Sequence, residues 1–158
     1  MNRKKSREVT MKLLFESMIK GEDYKTILDD LRESNEKEDS TMELMGMKVE
    51  EDPEDTSLDQ VDMGYVINMM KNIQENEEML DEKIKKYLKG WKINRISKVE
   101  LAILRLCTYE ILFEEDIPER VSINEAIELT KKYCDDKSKN YINAVLDNIA
   151  KEVKGELS

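Results

Sequence analysis

The chain has 158 residues, 39% of them charged and 39% hydrophobic, with no histidine and a formal net charge of −10. That length fits one ordinary domain or two very small ones, and a chain of this size buries roughly 68–70% of its unfolded surface, so a core forms without disulfide staples. The missing imidazole excludes His-based triads and His-ligated zinc, and the longest apolar run, Leu101-Ala102-Ile103-Leu104, is far short of the ~20 residues that span a membrane.

The opening Met1-Asn2-Arg3-Lys4-Lys5 has no apolar stretch behind it, so no secretory signal is expected and a cytoplasmic location follows. Arg3, Lys4, Lys5, Arg7 and Lys12 stand against Glu8 alone and make a basic patch. Met11, Leu14, Phe15 and Met18 then recur at helical spacing, and Tyr24, Ile27, Leu28 and Leu31 repeat the pattern. Gly21 between them marks a helical hairpin. Residues 33–62 hold twelve acids and two bases and so account for the whole net charge. The stretch at about 35–60 is poor in aromatic and branched residues and reads as a mobile acidic loop inserted between helices. Within it, Met42, Leu44, Met45 and Met47 have the spacing of a weak amphipathic turn.

Beyond the insert, Tyr65, Val66, Met69, Met70 and Ile73 make a third stripe. Leu80, Ile84, Tyr87 and Leu88 make a fourth that ends at Gly90, with a break or kink expected in the polar stretch Gln74 to Glu78. Ser97-x-x-Glu100 reads as a capping box opening a fifth helix. Leu101, Ile103, Leu104, Leu106, Cys107, Ile111 and Leu112 cover so much of its circumference that it belongs at the centre of a bundle. Pro118 stops it. Ser122-x-x-Glu125 reads as a second capping box ahead of Ala126, Leu129, Thr130 and Tyr133. A last helix is expected to start near Ser138 and to carry Ile142, Val145, Leu146, Ile149 and Val153. The predicted class is all-α, with about seven helices and no strand.

Catalytic fingerprints are missing from this pattern. No G-x-x-x-x-G-K, G-x-G-x-x-G or G-x-S-x-G occurs, and the acidic insert does not match the calcium-loop spacing. Glu114-Glu115-Asp116 reads as a solvated loop in preference to a cation site. Cys107 and Cys134 are too far apart for a C-x-x-C motif and read as free thiols, Cys107 as a small core residue. The reading is a binding protein, not an enzyme, with no metal and no cofactor.

Several motifs follow in order: Trp91-Lys92-x-Asn94-Arg95-Ile96, Val99-Glu100-x-Ala102-Ile103-Leu104-Arg105-Leu106, Tyr109-Glu110, Asp116-Ile117-Pro118, Ile123-Asn124-Glu125-Ala126-Ile127-Glu128-Leu129 and Tyr141-Ile142-Asn143-x-Val145-Leu146-Asp147. Nearer the start, Arg7-Glu8 leads to Leu13-Leu14-Phe15. Together they closely resemble the NusB family of bacterial transcription antitermination factors. The resemblance implies a single NusB-like helical domain of two subdomains, 1–90 with the acidic insert and 91–158. It also implies pairing with NusE, a small-subunit ribosomal protein, and binding to the boxA element of ribosomal RNA operon transcripts within the RNA polymerase antitermination complex. A homodimer stays open.

By the same resemblance, the family's basic opening falls on Arg3, Lys4, Lys5 and Arg7, charges able to neutralise phosphates. Its RNA-facing aromatic falls on Tyr141, whose ring could stack a splayed base, with Lys137 and Lys139 extending the basic surface. Phe15 and Glu100 fall on the NusE-facing side, although Phe15 equally fits the core stripe of its own helix. Arg105, Glu110, Asn124 and Glu125 look like signature positions with architectural roles, Arg105 pairing with a carboxylate. The chain departs from the family at Asn140, often Lys, and at Ala144 and Cys134, both often Gly. If Cys134 occupied a left-handed cap it would be strained by roughly 1 kcal/mol. The alternative is a helical protein-interaction or rRNA-targeting module like the domain preceding the catalytic part of some rRNA cytosine methyltransferases. No methyltransferase motif occurs before Ser158, which favours the free-standing factor.

Overall fold

The computed structural model describes residues 2–33, 60–90 and 92–155. The acidic loop expected at about 35–60, its amphipathic turn and Trp91 lie outside the described residues. Among these there are seven α-helices and no strand: α1 (Arg3–Lys20), α2 (Tyr24–Glu33), α3 (Met63–Glu75), α4 (Glu77–Tyr87), α5 (Lys98–Phe113), α6 (Glu119–Tyr133) and α7 (Asp136–Val153). A 3-10 turn, Ile93–Arg95, leads into α5. The helices form two compact units, Met1–Glu75 and Asn76–Ser158.

In the first unit α1 packs on α2 and α3. Asn2 caps α1, its side chain accepting from the Lys5 N–H at 3.1 Å, and its own N–H donates to the Gln60 carbonyl at 2.7 Å. Ser6 strengthens that tether, since its hydroxyl accepts from the Asp62 N–H at 2.8 Å. Asp62 in turn caps α3 through the Tyr65 N–H at 3.1 Å. Gly21 ends α1 at φ +66°, a conformation open to a residue without a Cβ. Met11, Leu14, Phe15, Ile27, Val66, Met69, Met70 and Ile73 are buried, as the stripes predict.

The second unit is built around α5, which packs on α4, α6 and α7. Val99, Ala102, Ile103, Leu104, Leu106, Cys107, Tyr109 and Ile111 are all buried, so α5 is enclosed on most of its circumference. The charged groups caught there are paired, whereas the buried Thr108 hydroxyl finds no hydrogen-bond partner among the described residues. Arg105 makes two hydrogen bonds of 2.8 Å to Asp81 of α4, and Glu110 accepts from the Ser122 hydroxyl at 2.8 Å. At the far end of α7, Glu152 accepts from Lys83 and Tyr87 of α4, both at 2.5 Å. These ties bind α4 to α5 and α7. The units divide between Glu75 and Asn76, whereas the subdomains expected from the resemblance meet at 90/91.

Two helix starts also differ from expectation. Helix α6 opens at Glu119, directly after Pro118 with φ −58°, so Ser122 lies inside the helix and its hydroxyl goes to Glu110, not to a cap. Pro118 takes the N-cap position with an extended ψ of 137°, which puts the start four residues upstream of where a Ser122 cap would place it. Helix α7 opens at Asp136, two residues before Ser138. Cys134, which follows α6, is extended at φ −129° and ψ 173°, so the left-handed strain expected of it is absent.

Candidate nucleic-acid interface

Three helix ends meet in the second unit: the start of α5, the end of α6 and the start of α7. The join is a hydrogen bond from the Tyr141 hydroxyl to Glu100 Oε2. Glu100 sits in the first turn of α5, and its backbone N–H donates to Ser97 Oγ at 3.1 Å. The expected capping box is therefore half formed. Ser97 caps the helix, while the Glu100 carboxylate reaches across to α7. Burial, together with the charges of Glu100 and Asp135, pushes the Cys134 thiol up to about 12, which places the end of α6 beside the same carboxylate. Burial first, and then the bond to Glu100, raises the Tyr141 hydroxyl well above the usual tyrosine range, so its proton stays in place as a donor.

Cations surround this junction. Lys137 is exposed, Lys139 and Tyr141 are half-buried, and all three belong to the opening of α7. Lys92, Arg95 and Lys98, all exposed, precede or open α5. Lys131 and Lys132 occupy the last turn of α6. Glu100, Asp135 and Asp136 temper the charge without reversing it. The sequence pattern missed Lys92, Arg95 and Lys98, although their closeness to the Ser97 cap was a signal. A half-open aromatic ring set among solvated cations suits a single-stranded polyanion whose bases stack while its phosphates meet charge.

The basic opening lies in the first unit and is not a free arm. It forms the first turn of α1. The Arg3 guanidinium lies 4.3 Å from the centre of the Tyr65 ring and 4.0 Å from Asp62 Oδ2, with its side chain 46% exposed. Lys4 is exposed, whereas Lys5 and Arg7 are only 8% and 6% exposed. Of the four cations assigned to RNA, then, Arg3 and Lys4 face solvent and Lys5 and Arg7 are enclosed. Phe15 is 1% exposed. It belongs to the core stripe and presents no surface to a partner. Glu100 is half-buried and engaged by Tyr141.

The NusB family model matches residues 4–151. The chain belongs to the NusB family. A transcription antitermination protein NusB from Clostridium tetani (strain Massachusetts / E88) is 55% identical over 153 residues, covering 97% of this chain and all of the relative. One from Clostridium kluyveri is 49% identical over 159 residues, with 98% of each chain covered. Among solved structures, T. maritima NusB superposes at a TM-score of 0.73 with 34% identity, covering 96% of this chain and 92% of that one. A structure of the antitermination factors NusB and NusE in complex with dsRNA aligns at a TM-score of 0.70 and 22% identity, covering 95% and 96%, a likeness of NusB fold.

Proposed function

We propose that this chain is a transcription antitermination factor that binds boxA RNA and pairs with NusE in the cytoplasm, within the RNA polymerase antitermination complex on ribosomal RNA operons. The observation that carries the reading is the 55% identity to a transcription antitermination protein along that relative's whole length. The chemistry of the second unit supports it. Tyr141 offers a ring for stacking, and Lys92, Arg95, Lys98, Lys137 and Lys139 offer charge for phosphates. Arg3 and Lys4 of the first unit are further phosphate-neutralising charges. Among the described residues no helix is long and apolar enough to cross a membrane. Of the two positions that the resemblance turns toward NusE, Glu100 remains in the proposal, because Phe15 is enclosed.

The test is a titration of labelled boxA RNA and of a scrambled RNA, each with and without NusE. The chain alone should bind weakly and with little preference. NusE should tighten boxA binding more than scrambled binding, and RNA should tighten NusE binding by the same factor. Equal affinities for both RNAs in the presence of NusE would refute the reading.

A further inference from the structure

The Tyr141–Glu100 hydrogen bond joins residues 41 apart in sequence at the point where three helix ends and their cations converge. We infer that Glu100 is a positioning residue for RNA: it holds the Tyr141 ring in the plane on which a base stacks. The inference rests on the proposed RNA surface and deepens it. Tyr141 turns about two side-chain torsions, and anchoring its hydroxyl restricts both. A ring fixed before binding loses less freedom when a base lands on it, so part of the affinity comes from pre-organisation. The hydroxyl proton is also committed to a carboxylate, so Tyr141 reads RNA by its face and not by donating to a base edge. Glu100 itself touches no RNA in this arrangement. Its backbone is already fixed by Ser97, which leaves the side chain free for the second task.

Electrostatics alone makes the opposite prediction for Glu100. A carboxylate within a basic surface repels phosphate, so removing it should tighten RNA binding. Positioning predicts the reverse for Glu100→Ala, which deletes both charge and acceptor. Glu100→Gln deletes the charge but keeps an amide oxygen to accept from Tyr141. Tyr141→Phe keeps the ring and every charge but removes the donor.

These variants, the Glu100→Ala/Tyr141→Phe double variant and Tyr141→Ala would be titrated in the absence of NusE, toward which Glu100 is also assigned, with boxA RNA carrying 2-aminopurine at single positions. Quenching of that base reports stacking directly, a readout that a merely structural role would not move. Tyr141→Phe and Glu100→Ala should each weaken binding roughly threefold to tenfold, the range of one lost hydrogen bond. Both should lose quenching, and the double variant should bind no worse than either single one. Glu100→Gln should keep the quenching and bind at least as tightly as the wild type. Wild-type affinity in Tyr141→Phe, with Glu100→Ala tightened as much as Glu100→Gln, would show Glu100 to be a local charge only and overturn the inference. If Tyr141→Ala also binds like the wild type, the RNA surface itself is misplaced and the proposed function loses its site. If it binds poorly while the milder variants do not, only the positioning role falls.

Discussion

Removing the carboxylate that faces Arg105 should damage the second unit severely. The Arg105 side chain is 9% exposed, and its Nε and Nη2 donate to the two oxygens of Asp81 at 2.8 Å, a parallel two-point pair. Glu77 adds a weaker contact at 3.3 Å from a side chain that is 47% exposed. In Asp81→Ala the enclosed cation keeps only Glu77. Breaking a buried pair from one side costs about 3–5 kcal/mol, and the 20% exposure of Asp81 places this case near the lower end, about 3 kcal/mol. For a unit of 60–100 residues, that shifts the melting temperature by roughly 12–24 °C. Arg105→Lys keeps the charge but loses the fork and should cost about 1–2 kcal/mol. Replacing both partners, Arg105→Met with Asp81→Leu, removes the buried charge altogether and should recover most of the loss. Urea unfolding followed by far-UV circular dichroism measures all three. An Asp81→Ala variant within 1 kcal/mol of the wild type, or a double variant whose losses simply add, would refute the reasoning.

Three further outcomes are expected. Hydrogen bonds from Lys83 and then Tyr87 hold the Glu152 carboxyl at about 2, below its ordinary 4.5. Because the folded value is the lower one, its stabilisation is complete above about pH 4.5 and is lost as pH falls toward 2; Glu152→Gln should remove that part of the acid-unfolding curve, and an unchanged acid limb would contradict it. With its thiol pushed up to about 12, Cys134 forms almost no thiolate at pH 8. A chromogenic disulfide reagent should label neither it nor buried Cys107 until urea unfolds the chain, so prompt labelling of the native protein counts against this. At the start of α1, Lys4→Ala should reduce the log–log salt slope of RNA binding by about 0.7, whereas Lys5→Ala and Arg7→Ala should lower thermal stability more than Lys4→Ala does. Indistinguishable slopes for Lys4→Ala and the wild type would remove that turn from the RNA surface.

What was legible in the sequence is what local periodicity encodes. The stripes of α1, α3, α5 and α7 form buried faces because residues three and four apart share one side of a helix, except at Val153, the last residue of α7, which is 48% exposed. The Ser97 cap was legible for the same reason, since donor and acceptor lie three residues apart. Ser122 misled because Ser-x-x-Glu looks alike at a helix start and within a helix that Pro118 has already opened. Pairings across longer stretches were legible in kind but not in partner. A carboxylate for Arg105 was expected, yet nothing local named Asp81, 24 residues away. The resemblance puts Glu100 and Tyr141 on separate surfaces, yet a bond spanning 41 residues joins them. A charge count of the basic opening does not register that Lys5 and Arg7 turn inward once Asn2 caps the helix.

Zero-length ultraviolet cross-linking of boxA RNA to the chain with NusE present, with adducts mapped by mass spectrometry, tests the central claim most directly. The account predicts adducts on Tyr141 and in the neighbouring segment that carries Lys137 and Lys139, lost in Tyr141→Ala and suppressed by unlabelled boxA RNA but not by scrambled RNA. Adducts confined to other parts of the chain, or equal competition by both RNAs, would contradict it.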